Sequence, residues 1–364
     1  MIKLIKPYIS IQSIQTDLED IFASGQFTQG KNVQRFETDL KNYLSVHYIG
    51  LTTSATTALS LSLRVMGVKP GSKVAVSDYS WPASSNVIEE LGAIPVFIDI
   101  NPETFNMSLD DLEKKLDASF SAVIFVDTFG NPSGLEDIFE LCQKYKVPLL
   151  EDAACALGSE VNDRKVGSIA DVTCFSFHPR KLLNTGEGGA IATNNEEYAK
   201  QFKIKLAAGA SGNAEVGLKF TDFGFNFRLT EIQSLMGWQQ LKNLDEVITK
   251  RLEIKYCYIN SLTSIGLVPQ KVDTYIKHNA QSIVFTVPET VNRNKLVKYL
   301  NSQNIESTLG TYCLSGTSFN RDKYNDVQQN SLAIESAAIT LPCYEGLDTK
   351  PVTKAIANFV QQNE

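Results

Sequence analysis

Residues that build metal centres are scarce in this chain. Its 364 residues include three histidines (His47, His178, His278) and six scattered cysteines with no C-x-x-C pair. That pattern argues against a zinc cluster and leads us to expect reduced thiols. No window approaches the run of about eighteen uncharged apolar residues that would suggest a spanning helix. The opening Met1-Ile-Lys-Leu-Ile-Lys-Pro7 also lacks an apolar signal-like core, so the expected location is the cytoplasm. Basic residues are not in excess: the net charge is −7, which argues against general affinity for nucleic acid or anionic membrane while leaving room for a local basic pocket. Internal repeats and low-complexity tracts are missing too.

What is present is a substantial core, with 43% hydrophobic residues in a length that suits one large and one small domain, or two modest ones. From Val74 to Thr193, short apolar runs alternate with helical patterns. The runs are Val74–Ser77, Pro95–Ile100, Ala122–Val126, Val147–Leu150 and Val172–Phe177, and Leu135–Tyr145 is the clearest helix. This alternation predicts an α/β fold with a mostly parallel buried sheet. A helical stretch from Thr230 to Leu262, expected to break at Gly237, leads into a smaller α+β unit. That unit holds a strand at Ser282–Val287 and helices at 292–302 and 352–361. The expected division is 1–240 and 241–364.

Chemistry concentrates at the strand ends. Lys181 sits between the strand Val172–Phe177 and the glycine turn Thr185-Gly-Glu-Gly-Gly189, ahead of a strand that begins near Ala190. A lysine beside packed strand ends loses part of its solvation and can attack an aldehyde, the way pyridoxal phosphate (PLP) is anchored. The competing reading is a solvated surface lysine beside a plain turn. Upstream, Val147–Leu150 runs into Glu151-Asp152-Ala153-Ala154, placing an acid at a strand's C-terminal edge. There Asp152 either caps the next helix or pairs with a protonated pyridine nitrogen. Glu151 reads as structural or solvated. Leu51-Thr-Thr-Ser-Ala-Thr-Thr57 precedes an apolar-periodic run, so its amides and helix dipole suit a phosphate, with Ala55, Thr56 and Ser176 as contributors. Trp81, before Pro82, is either a ring-stacking residue or a packing tryptophan.

With these pieces in order, the chain resembles the DegT/DnrJ/EryC1/StrS family of PLP-dependent nucleotide-sugar aminotransferases nearly end to end. Further marks are Ser24–Gly30, Phe36-Glu37, Leu91–Asp99, Phe129-Gly-Asn131, Gly224-Phe-Asn-Phe-Arg228 and Leu341-Pro342. The resemblance implies an aspartate-aminotransferase-like (fold type I) large domain. It makes Lys181 the cofactor-bearing lysine, Asp152 the pyridinium partner and Trp81 the stacking residue, with Ser176 and the Ala55 and Thr56 amides on the phosphate. Asn226 would reach the neighbouring subunit's phosphate, implying a homodimer with shared sites. Thr311, Tyr312 and Tyr344 would face the sugar nucleotide. His178 and Arg180, close to Lys181 in sequence, read either as contacts to substrate phosphate or sugar hydroxyls or as structural packing of the loop.

The implied activity is amino transfer from an amino acid, L-glutamate by preference, to a nucleotide-linked keto-deoxysugar. The form of residues 185–189 favours C4 over C3, and the products would be aminated deoxysugars such as those of lipopolysaccharide O-antigens. Three positions depart from the family pattern. Cys155 stands where Gln, His or Glu is usual and reads as a cofactor contact or a small buried apolar residue. Ala55 replaces a glycine. Asp127 replaces a frequent histidine and is given no role. A few relatives carry histidine in place of the lysine and act as dehydratases, so Lys181 favours transamination. A dehydratase, or a non-catalytic regulator that kept a cofactor pocket, are the rival readings.

Overall fold

The computed structural model describes residues 1–213 and 217–362. Seven strands form the central sheet: β1 (Tyr48–Thr52), β2 (Lys73–Ser77), β3 (Ile94–Ile98), β4 (Phe120–Val126), β5 (Leu149–Asp152), β6 (Val172–Ser176) and β7 (Gly189–Thr193). Their spatial order is β1-β7-β6-β5-β4-β2-β3. The run from β6 through β5, β4 and β2 to β3 is parallel, and β7 lies antiparallel between β6 and β1.

Parallel strands must be covered on both faces, and this composition allows it. Val74, Val76, Ile124 and Leu150 point into one core beneath the helix Ala55–Val65. Their strand neighbours Ala75, Val123, Phe125 and Leu149 point into the opposite core, beneath the helix Leu135–Tyr145. The period-2 alternation of side chains thus fills both layers with β-branched and aliphatic groups.

Two sequence expectations shift. The run expected at 147–150 forms its strand at Leu149–Asp152. The Val147 N–H is used by the Cys142 carbonyl closing the preceding helix, and Pro148 has no N–H to offer the ladder. The strand therefore extends through both acids, and Glu151 is fully buried rather than solvated. The helix also does not break at Gly237. Glu231–Leu241 runs through it, and the interruption falls at Lys242–Asn243 before Leu244–Leu262. Gly237 is a contact point: a Cβ there would meet the buried Phe36 ring at 2.5 Å.

The smaller unit is built on four antiparallel strands, β8 (Val268–Pro269), β9 (Ile283–Thr286), β10 (Thr308–Leu309) and β11 (Ala338–Leu341), ordered β8-β9-β11-β10. Helices Arg293–Ser302 and Lys350–Gln361 pack on it. The helix Leu244–Leu262 belongs to both cores, with Leu244, Val247 and Ile248 in the large one and Ile254, Tyr258 and Leu262 in the small one. Ile2 bridges to Ile305, tying the N-terminus to the smaller unit.

Candidate active site

The C-terminal edges of β4, β5 and β6 open into a cavity of about 570 Å³ that is closed from the other side by residues 281–282, 308–311 and 340–343. In open α/β sheets ligands gather at this edge.

Asp152 ends β5 inside the cavity wall and is 5% exposed. Its carboxylate is oriented from two directions, Oδ2 accepting from Ser84 Oγ at 2.7 Å and Oδ1 from the Ala154 N–H at 3.2 Å. Burial raises the Asp152 pKa, while the Ser84 and Ala154 hydrogen bonds and the charge on Lys181 pull it back. A cationic ring nitrogen would complete that compensation.

Lys181 lies on the β6–β7 connection, half-buried, with Nζ donating to Cys155 Sγ at 3.0 Å. The backbone on both sides of it is gripped by one residue: Gln281 Nε2 donates to the Arg180 carbonyl at 2.7 Å and Gln281 Oε1 accepts from the Leu182 N–H at 2.8 Å.

Beside this pair is an anion cradle. Ser54 caps the helix Ala55–Val65, its side chain accepting from Thr57 N in a reciprocal capping box. The cap uses the third amide of the turn and leaves those of Ala55 and Thr56 without an intrahelical acceptor, facing the cavity that Ser176 also lines. Gly189 allows the close approach: a Cβ there would sit 2.7 Å from Ala55 N. An acid that holds a pyridinium, a lysine for an aldehyde and a helix N-terminus for a phosphate fit PLP.

Trp81 lines the cavity and is 65% exposed, resting edge-on against Tyr312 with ring centroids 5.8 Å apart. Thr311, His178 and Arg180 also line it. Burial lowers the His178 pKa, and its Nδ1 accepts from the Arg180 N–H at 3.2 Å. Three expected residues stand apart. Tyr312 packs against the Trp81 ring and is not part of the cavity wall. Tyr344 is buried outside the cavity wall, its ring under Lys6 Nζ at 4.5 Å. Asn226 is exposed on the segment after the Gly217–Phe220 strand and does not join the cavity of its own chain.

The sequence reading passed over Ser84, Gln281 and the pair Asp127–Glu151. Ser84 had a faint signal, one turn past Trp81 on a helix starting at the same sheet edge. Gln281 had none, because its partners lie about a hundred residues away in the chain.

The chain matches the DegT/DnrJ/EryC1/StrS aminotransferase family over residues 9–360. It belongs to that family. It is a PLP-dependent aminotransferase of fold type I. Among its relatives, the GDP-perosamine synthase of Vibrio cholerae is 30% identical over 295 residues, covering 80% of this chain and 79% of that protein. Two solved structures superpose over the whole chain. They are PseC of Helicobacter pylori, an aminotransferase involved in the biosynthesis of pseudoaminic acid (TM-score 0.91, 27% identity, 98% of that chain), and the sugar aminotransferase Spr1654 of Streptococcus pneumoniae in its PMP form (TM-score 0.93, 25% identity, 100% of that chain).

Proposed function

We propose that this family member moves an amino group from an amino acid, by preference L-glutamate, to C4 of a keto-deoxysugar carried on a nucleoside diphosphate. The observation that carries the reading is Lys181 and Asp152 in one cavity beside a phosphate cradle, with the cavity continuing past Trp81 to Thr308, Gly310 and Thr311. Bound PLP supplies an electron sink. The protein's own work is to hold Asp152 anionic through Ser84 and Ala154, to seat the phosphate on the Ala55 and Thr56 amides, and to move a proton at the reacting carbon with Lys181 Nζ. Arg180, on the cavity wall, has no acid partner among the described residues and is assigned to substrate carboxylate or diphosphate. Thr311 is assigned to the sugar side. The nucleotide-sugar reading draws support from the names of the relatives. Lys181 disfavours a dehydratase.

The working enzyme is assigned as a homodimer in the cytoplasm, with Asn226 serving the neighbouring subunit's phosphate and Cys155 touching the cofactor. Asn226 lies near the exposed Phe220 and Phe223, a surface suited to a second copy of the chain.

The test is to load the protein with PLP, add L-glutamate, follow the visible cofactor band, and then supply nucleotide keto-sugars and locate the new C–N bond by NMR. Loss of the band with glutamate and amination at C4 are expected. Consumption of keto-sugar without glutamate would replace this reading with the dehydratase, and a C3 product would correct the position. Lys181→Ala should cut turnover by at least about 10²–10⁴-fold, the usual share of positioned proton transfer.

A further inference from the structure

Asp127 follows directly on β4 and is 1% exposed. It lines the same cavity as Asp152, and its N–H donates to the Asp152 carbonyl at 3.2 Å, so the two acids stand side by side on adjacent strands. Neither oxygen of its carboxyl has a hydrogen-bond donor, and Glu151 Oε1 lacks one too. Glu151 Oε2 is satisfied by Thr173 Oγ1 at 2.6 Å.

A buried acceptor without a donor is costly, and two facing carboxyls are stable only with protons between them. The surroundings support protonation: burial comes first, then the charge of Glu151 and the proton shared with its side chain, and then the charges of Asp152 and Cys155, all pushing the Asp127 carboxyl well above the usual range. Glu151 itself is raised to about 7, chiefly by burial.

Strand order indicates what a neutral Asp127 faces. In PLP the ring nitrogen lies between two edges, one bearing the phosphate arm and the other the methyl group and the 3-oxygen. Asp152 on β5 takes the nitrogen, and Ser176 on β6 lies toward the phosphate. The remaining edge therefore turns to β4, where Asp127 waits. Cys155 is poorly suited to that oxygen, since a thiol is a weak donor and its sulfur already contacts Lys181 Nζ.

We propose that Asp127 binds the cofactor's 3-oxygen by donating a hydrogen bond as a neutral carboxylic acid, with Glu151 behind it donating in turn to the other Asp127 oxygen. The assignment rests on PLP binding with its nitrogen on Asp152. Asp127 is then a third polar anchor of the ring, on the side opposite the phosphate.

The test is a pH titration of the visible band in the PLP-loaded enzyme, for wild type, Asp127→Leu and Asp127→Asn. A donor to the 3-oxygen stabilises the negative charge that is fullest when the lysine-bound cofactor has lost its imine proton. Removing the donor in D127L should raise the titration midpoint by about one pH unit, the equivalent of one hydrogen bond. D127N keeps an N–H donor of the same shape and should stay within about 0.3 unit of wild type, well below the one-unit equivalent. A wild-type midpoint in D127L would overturn the proposal. A lowered midpoint in D127N would also overturn it, because it would mean that an ionised Asp127 had been repelling the oxygen.

Should D127L not fold, the decision passes to wild type and D127N with 3-deoxypyridoxal 5′-phosphate. A preference for PLP over this analogue of about tenfold, kept in D127N, supports the contact, and equal affinities in wild type refute it. A wild type that shows no visible band with PLP would bring down the cofactor reading and this inference together, whereas a normal band with an unshifted D127L removes this inference alone.

Discussion

Ser84 Oγ donates a 2.7 Å hydrogen bond to Asp152 Oδ2, linking the helix that begins after Trp81 to the acid at the centre of the sheet edge. Ser80 Oγ lies 2.8 Å behind Ser84, so the hydroxyls form a short chain ending on the carboxylate. Ser84→Ala should therefore leave the fold intact and slow the glutamate half-reaction by about 10–100-fold, the range for losing one hydrogen bond to a charged group. Single-turnover decay of the visible band measures this directly. A rate equal to wild type would mean that Asp152 needs no help in holding its position.

The proposed sharing of Asn226 between subunits makes a counting prediction. Lys181→Ala damages the chain's own cavity, whereas Asn226→Ala should damage the neighbour's. In a mixed dimer of the two variants, one site carries both lesions and the other carries none. Unfolding, mixing and refolding the two inactive proteins should recover a substantial fraction of wild-type activity, read by the steady-state assay. No recovery would show that Asn226 acts within its own chain.

Stability of the N-terminal layer should depend on Glu231. This buried carboxylate accepts from the Gly30 N–H at 2.8 Å, the Asn32 N–H at 2.9 Å, Asn32 Nδ2 at 3.1 Å and the Val33 N–H at 3.0 Å. Glu231→Ala strands these donors and should cost about 2–4 kcal/mol in urea denaturation of the cofactor-free protein. Gly237→Ala should cost about 1–3 kcal/mol through collision with Phe36, even though alanine is the better helix former.

The cofactor-free protein should lose stability as pH rises from about 4 to about 7. Asp78, buried and bonded by the Ser315 N–H at 2.7 Å and Ser315 Oγ at 2.8 Å, is raised to about 7, mainly by burial, as is Glu151. In that window the native state holds protons that the unfolded chain has released, so the unfolding free energy falls as pH increases, by up to about 1.4 kcal/mol per unit for each such group. Asp78→Asn should flatten part of this slope in urea midpoints measured at a series of pH values. A flat wild-type profile would mean that both acids are ionised when buried.

The parts of the site that lie along single strand ends were legible from sequence. Lys181, Asp152, Ser176 and the Ser54–Thr57 turn each combine a functional side chain with a local pattern, a strand that stops or a helix that starts, and the fold brings those ends to one edge. The helix Leu135–Tyr145 matches its expected bounds because its apolar positions repeat cleanly. Strand β5 slipped by two residues because a proline's missing N–H and a helix-closing hydrogen bond decide where a ladder begins, and neither alters hydrophobicity. Gly237 read as a breaker because its partner, Phe36, lies far away in the chain. Asp127 stood out as a departure from the family pattern but received no role for a related reason: its partner, Glu151, lies on the adjacent strand, and the sequence does not show that the two acids meet.

Gln281 gives the lysine segment an unusual mechanical character. Its one side chain fastens both the carbonyl before Lys181 and the amide after it, and it projects from the smaller unit. The peptide backbone at position 181 is thereby held as a pivot, and with PLP bound the amine would change its reach through rotations within the lysine side chain. Any displacement of the segment that carries Gln281 would move the pivot with it and so reset the reach of the amine.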